Sequence, residues 1–303
     1  MDSAQIKRDA WLTRLAFITA GATFLLLALG GLVSSKGVGM AVPDWPTTFG
    51  YNMFTFPLSK MIGGIFYEHS HRLLGSFVGL LTIGLTLLIW LREERKWLKW
   101  LSVIALIAVI FQGILGGLRV IEISTAFAVA HGAFAHAFFA LIVSISLFLT
   151  DFWRHPEADL PIEVNRSFKT LTVVTSVIIY LQLMLGAVYR HTGELLWLHL
   201  FFAFVVTIMA FSLTDSVKKN IKDIVFIKRI SVTLVTLLVF QLLTGMGAFM
   251  TRLFSPERLE APPLVIAVTL IHVLTGATLF AASTALTLSV LRVTNSSSGP
   301  VTA

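Results

Sequence analysis

The chain of 303 residues contains no cysteine. That excludes disulfides, iron–sulfur clusters and thiolate-ligated zinc or haem. Charge is scarce as well: 13% of residues are charged, 56% are hydrophobic, and the mean hydropathy is +0.86. A water-soluble domain carries roughly 25% charged residues, so this composition excludes that class too. Long uncharged apolar runs read instead as transmembrane helices. Eight such spans lie near 13–33, 69–91, 97–118, 124–149, 168–189, 194–213, 230–250 and 264–291. Each is long enough, at about 1.5 Å per residue, to cross a hydrocarbon core of about 30 Å. The expected fold class is an all-α integral membrane protein. A short charged tail without a small-residue cleavage site precedes the first span, which reads as retained.

The formal charge of +7 invites a nucleic-acid partner, but its distribution argues against one. Eight spans leave both termini on one side, and that side collects 16 of the 23 lysines and arginines. Cationic loops stay in the cytoplasm. Both termini are therefore expected to be cytoplasmic, the 34–68 loop external, and the location a bacterial inner (plasma) membrane.

The sequence repeats itself weakly. Gln112–Gly116 and Gln241–Gly245 share the pattern Gln-x-x-x-Gly after a phenylalanine, and Gln182–Gly186 carries it again. His71 precedes Gln112 by 41 positions and His199 precedes Gln241 by 42. The pattern reads as two pseudo-twofold-related four-helix bundles in the same orientation. The N-terminal bundle would occupy 1–150 and the C-terminal bundle 168–303, with a cytoplasmic linker over 151–167. The alternative is a chance match in low-diversity apolar sequence. The glycines either let helices approach closely or make room for a flat macrocycle.

Four histidines stand at matching depths near the external ends of the second, fourth, sixth and eighth spans: His71, His131, His199 and His272. An imidazole in hydrocarbon is costly unless something binds it, and facing helices of a bundle commonly hold a cofactor between them. Histidine is an axial ligand of haem iron, and the pairs that fit are His71 with His131 and His199 with His272. A lone intramembrane histidine is more often a packing residue; four in equivalent places favour ligands. His69 and His136 lie about 200° and 140° around the helix from their neighbours. With His191 in an external turn and His155 in the linker, they read as supporting or surface residues. Glu68 stands three positions before His71, one turn away on the same face. Either the helix macrodipole favours an acid there, or the carboxylate serves chemistry as a base or charge stabiliser. Leu196 takes the equivalent place in the second half. The first half thus reads as a reaction site and the second as an electron-transfer site.

The stretch from Gly30 to Pro46, Gly-Gly-Leu-Val-Ser-Ser-Lys-Gly-Val-Gly-Met-Ala-Val-Pro-Asp-Trp-Pro, resembles a signature of the haem A synthase family. So does Glu68-His69-Ser70-His71-Arg72-Leu73, and the resemblance runs from about residue 13 to 291. It implies eight helices in two bundles and oxidation of haem O to haem A, the C8 methyl becoming a formyl group through two successive hydroxylations. It assigns His71 and His131 to the iron of the substrate haem O, His199 and His272 to a permanent haem b, and catalysis to Glu68. Electrons would leave through haem b to an acceptor that the residues leave open. Many members carry a cysteine pair in the external loops, whereas here Trp45-Pro46 is followed by Thr47-Thr48-Phe49-Gly50. The loop is then expected to be held by packing of Trp45, Phe49, Tyr51, Phe54 and Phe56. Those aromatics otherwise line a haem entrance or form an interfacial belt. Arg72, Arg119, Arg190 and Arg252 at external helix ends either pair with haem propionates or snorkel to headgroups, with Arg72 the foremost cofactor-binding candidate. Expected partners are haem O and membrane lipid, with a haem O synthase and a second copy of the chain (a homo-oligomer) as candidates, and no nucleic acid. Two rival readings are a bis-histidine membrane cytochrome b that carries electrons without modifying haem, and a transporter with proton-relaying histidines.

Overall fold

The computed structural model describes residues 3–154, 162–254 and 261–295. Among them are nine α-helices and no β-strand. They are α1 (Ser3–Ser35), α2 (Gly63–Arg92), α3 (Lys96–Ile121), α4 (Thr125–Phe148), the single turn α5 (Asp151–Arg154), α6 (Arg166–Thr192), α7 (Leu196–Asn220), α8 (Val225–Leu253) and α9 (Pro263–Asn295). The eight long helices are apolar and long enough to cross a membrane, and they coincide with the eight expected spans. His155, and Pro256 of the loop before α9, lie outside the described residues.

Local sequence explains the helix ends. Ser124 accepts from the Phe127 amide to cap α4, and Asn165 accepts from the Phe168 amide to cap α6. Each satisfies one orphan amide of a first turn. α6 stops at Gly193, whose φ of 78° closes the left-handed cap that glycine adopts without strain.

Contacts divide the chain into two compact units, Met1–Leu149 with Thr244–Leu274, and Thr150–Leu243 with Thr275–Ala303. The boundaries cut α8 and α9, so each of these helices contributes a segment to both units. In the first unit α1 packs on α2 and α4, and α3 packs on α2 and α4, closing a ring of four antiparallel helices. A buried stripe runs along α2 through Val78, Thr82, Leu85 and Ile89 at helical spacing; Leu98, Ser102 and Ala105 of α3 and Ile142 and Ile145 of α4 are buried as well. The second unit packs Ile179 of α6, Leu213 and Val217 of α7, Leu234 of α8 and Leu286 of α9 into its own core.

Similar side-chain hydrogen bonds join neighbouring helices inside each unit. In the first, Thr86 of α2 donates to the Ser102 carbonyl of α3 (3.0 Å), and Ser102 donates to Lys99 (2.7 Å). In the second, Thr214 of α7 donates to the Ser231 carbonyl of α8 (3.0 Å), and Ser231 donates to Lys228 (2.9 Å). Helices in lipid gain no hydrophobic drive toward each other, so such bonds and close packing hold them together. Those bonds are individually modest. Thr86→Val and Thr214→Val should each cost about 0.6 kcal/mol, and at most about 1.7, in reversible unfolding from mixed micelles. A loss of several kcal/mol from either would show that these bonds dominate the packing.

Candidate functional site

Each of the four histidines rests on a glycine of the preceding helix. A Cβ built on Gly30 of α1 would meet Cε1 of His71 at 2.8 Å, and one on Gly116 of α3 would meet Cε1 of His131 at 3.0 Å. The same holds for Gly186 of α6 with His199 at 3.1 Å and Gly245 of α8 with His272 at 2.8 Å. Any side chain at these positions would push on the ring, so the glycines leave room for it. The glutamine one turn earlier holds the histidine's backbone: Gln112 Nε2 donates to the His131 carbonyl (3.0 Å) and Gln182 Nε2 to the His199 carbonyl (2.9 Å). Gln-x-x-x-Gly is therefore a seat for a histidine on the next helix. The first seat has Leu26 where the others have glutamine.

Within the first unit, His71 of α2 and His131 of α4 face one another with ring centroids 6.4 Å apart and ring planes at 84°. With nitrogen–metal bonds of about 2.0–2.1 Å, the usual imidazole length, two histidines on opposite sides of one ion have centroids roughly 6 Å apart. The pair fits that spacing. Nδ1 of His131 lies 3.2 Å from the Gln112 carbonyl, which fixes that edge of the ring. Nδ1 of His71 is buried without a hydrogen-bond partner. Among the described residues no group of three or more His, Asp or Glu gathers as for a metal ion held by protein alone. Two axial imidazoles suit an iron whose other ligands come from a macrocycle. His199 keeps its seat on α6 in the second unit; His272, in the first, lies 3.5 Å from the Thr244 hydroxyl.

Glu68 is buried, one turn before His71, and each of its carboxylate oxygens accepts one hydrogen bond. Oε1 accepts from Arg72 at 2.8 Å, and Oε2 accepts from the Val42 amide at 2.9 Å. Arg72 in turn spends all four terminal N–H groups. Nη1 donates to the carbonyls of Asp44 (2.6 Å) and Thr47 (3.0 Å), and Nη2 donates to the carbonyl of Val42 (2.8 Å) and to Glu68. A planar fork is suited to gathering several acceptors at once. The Glu68–Arg72 pair thus fastens the external loop to the start of α2.

Asp44 organises the same loop from within. It accepts from the Thr47 hydroxyl (2.5 Å) and from the amides of Phe49 (2.7 Å) and Gly50 (2.9 Å). Burial pushes this carboxyl up, but the bonds from Gly50, Thr47 and Phe49 outweigh it and hold it below its ordinary value of 3.8. The Trp45 ring lies against the bare backbone of Gly117, beside the seat of His131. Phe56 is buried among Phe49, Tyr51 and His69, whereas Phe54 is exposed, so packing holds only part of the loop. His69 supports the loop through the Thr48 hydroxyl at 3.1 Å, and His136 bonds back to the Gly132 carbonyl at 2.7 Å. Arg190 lies in the last turn of α6 and Arg252 in the last turn of α8. The loop-fastening roles of Arg72 and Asp44 carry little sequence signal beyond an aspartate close before a proline.

Two outcomes follow for the loop. Arg72→Gln removes the fork, and limited proteolysis within 42–60 should speed up at least tenfold; an unchanged rate would mean Arg72 does not fasten it. Because the folded-state pKa of Asp44 is depressed, its contribution is complete above 3.8 and fades as pH falls through the folded value below that. Hydrogen exchange of the Phe49 and Gly50 amides should therefore accelerate on acidification below pH 4 beyond the intrinsic trend. Asp44→Asn should remove that pH dependence.

The chain resembles proteins of known type. A protein named heme A synthase from Shouchella clausii (strain KSM-K16) is 29% identical over 188 residues, 61% of this chain and 61% of that protein. Another of the same name, from Alkalihalophilus pseudofirmus (strain ATCC BAA-2126 / JCM 17055 / OF4), is 30% identical over 181 residues, 58% of each. The chain thus spans about three fifths of the length of these relatives. The family model for the cytochrome oxidase assembly protein COX15-CtaA matches residues 13–291. With nearly all of its spans inside that match, the chain belongs to the COX15-CtaA family of cytochrome oxidase assembly proteins.

Proposed function

We propose that this chain is a haem A synthase: haem O binds between α2 and α4, with His71 and His131 on its iron, and its C8 methyl is oxidised to a formyl group beside Glu68. The carrying observation is the facing pair of imidazoles, 6.4 Å apart, with a buried carboxylate one turn from His71. The related heme A synthases and the resemblance of Glu68-x-x-His71-Arg72 support the same reading.

The chemistry balances as follows. The methyl takes the oxygen of one water and loses two electrons and two protons to give the alcohol. A second such step gives the geminal diol, which loses water to leave the aldehyde. Carbon centred on the porphyrin edge becomes electron-poor before water attacks it. A carboxylate in a low-dielectric site stabilises that developing positive charge far better than it could in water. Each Glu68 oxygen keeps a lone pair beyond those given to Arg72 and Val42, enough to orient the water and accept its proton. The loop above the pair, fastened by Arg72 and carrying Trp45, keeps bulk water from the site.

The seats at Gly186 and Gly245 support His199 and His272, each within its own unit, as haem ligands, and the resemblance implies haem b as the group. When bound, that group supplies one-electron acceptor chemistry. The excess of basic residues on one side supports a bacterial inner membrane location with both termini cytoplasmic. A carrier cytochrome remains the second reading because Glu68 already has a structural task in fastening the loop.

Chromatography of haems extracted from cells that make haem O and express this chain decides between them. The enzyme yields haem A, and a carrier yields only haem b and unaltered haem O. Glu68→Ala should retain haem b and lower haem A formation by roughly 100-fold; a normal rate would remove Glu68 from catalysis. The seats give a second outcome. Gly116→Val should cut haem bound in the first half at least tenfold, while Gly113→Val, with open space around its Cβ, should leave it unchanged.

A further inference from the structure

Arg119 is the one charged group beside the histidine pair that neither the loop nor the proposed chemistry uses. It lies in the last turn of α3, three positions after Gly116, and so on the same helix face as the seat of His131. Its guanidinium lies against the backbone of Gly39, where a Cβ would come within 2.5 Å of Nη2. It stands within electrostatic reach of both Glu68 and His71. Among the described residues its guanidinium makes no hydrogen bond and no ion pair. The oxygens of Glu68 accept from Arg72 and from the Val42 amide, not from Arg119. Arg72 is the mirror case, with every terminal donor committed to the protein.

A half-buried guanidinium with unused donors is costly and calls for an anion. A porphyrin held between His71 and His131 brings two propionate carboxylates, which match the planar fork of arginine. One of those propionates shares a pyrrole ring with the C8 methyl. Fixing that propionate would therefore also fix the position of the methyl on the same ring.

We propose that Arg119 is the carboxylate anchor of this site, binding a propionate of the tetrapyrrole between His71 and His131 and thereby setting which edge of the macrocycle meets Glu68. This rests on the haem reading above. The other source of such an anion is a phospholipid headgroup, and the test separates the two.

The full chain, purified in detergent and depleted of haem, is titrated with ferric protohaem and with its dimethyl ester, which lacks the carboxylates. The Soret band is followed, and the first-half site is taken as the difference from His71→Ala. The wild type should bind the diacid at least tenfold more tightly than the diester. Arg119→Gln should bring the diacid down to the diester level and leave the diester unchanged. Arg119→Lys keeps the charge but not the fork, and should fall between; it decides the matter alone if the glutamine variant does not fold. A diacid-to-diester ratio unchanged from the wild type in these variants, as for an arginine serving lipid phosphate, overturns the proposal. So does an equal loss for both ligands. If His71→Ala binds both ligands as the wild type does, it is the haem reading that fails.

Discussion

An imidazole inside hydrocarbon must be given both space and polar company, and that requirement shapes this molecule. The protein supplies the space four times with one device: a glycine on one helix and a histidine on the next, with the ring lying where a side chain would otherwise project. Closely packed small residues are the usual means by which membrane helices approach each other. Here the space so gained is filled by a ring rather than by backbone. The seat fixes the ring's height and one of its edges, leaving the opposite edge to face across the bundle. In the first unit that direction leads from His71 to His131.

The external loop depends on a second constraint, the lack of any thiol to tie it down. A fork of N–H groups takes the place of a covalent link. Arg72 gathers three carbonyls from a short stretch of loop and returns the last donor to Glu68, one turn earlier on the same helix. Asp44 and His69 hold the same stretch from the inside and from below. The outer wall of the site, with Trp45 on Gly117 and Gly39 on Arg119, is thereby fixed by hydrogen bonds near the surface. Such bonds are worth most where water is scarce. Glu68 belongs to this fastening, so in the proposed reaction loop order and chemistry would share a residue.

Much of this was legible in the sequence. The eight spans follow from hydropathy and length, and the four histidines stand out because polar rings are rare in such helices. Gln-x-x-x-Gly signalled the seats on α3, α6 and α8, but the seat at Gly30 was hidden because Leu26 breaks the pattern. The partners of Arg72 were not legible for a general reason. Three of its four acceptors are backbone carbonyls, which every residue offers, so no residue type marks them. The aromatics expected to hold the loop do so around Phe56 and through Trp45 on Gly117, but Phe54 is exposed and holds nothing. The isolation of Arg119 was equally invisible, because it depends on what Glu68 and Arg72 do with each other.

The central claim is that His71 and His131 take opposite faces of one iron porphyrin with their ring planes nearly perpendicular. Electron paramagnetic resonance of the ferric, haem-loaded protein tests it most directly, because crossed axial imidazoles give a highly anisotropic low-spin signal and parallel ones a rhombic signal. The account predicts a crossed-ring signal that disappears in His131→Ala and survives in His199→Ala. A high-spin signal alone, or a spectrum with no low-spin component lost in His131→Ala, would contradict it.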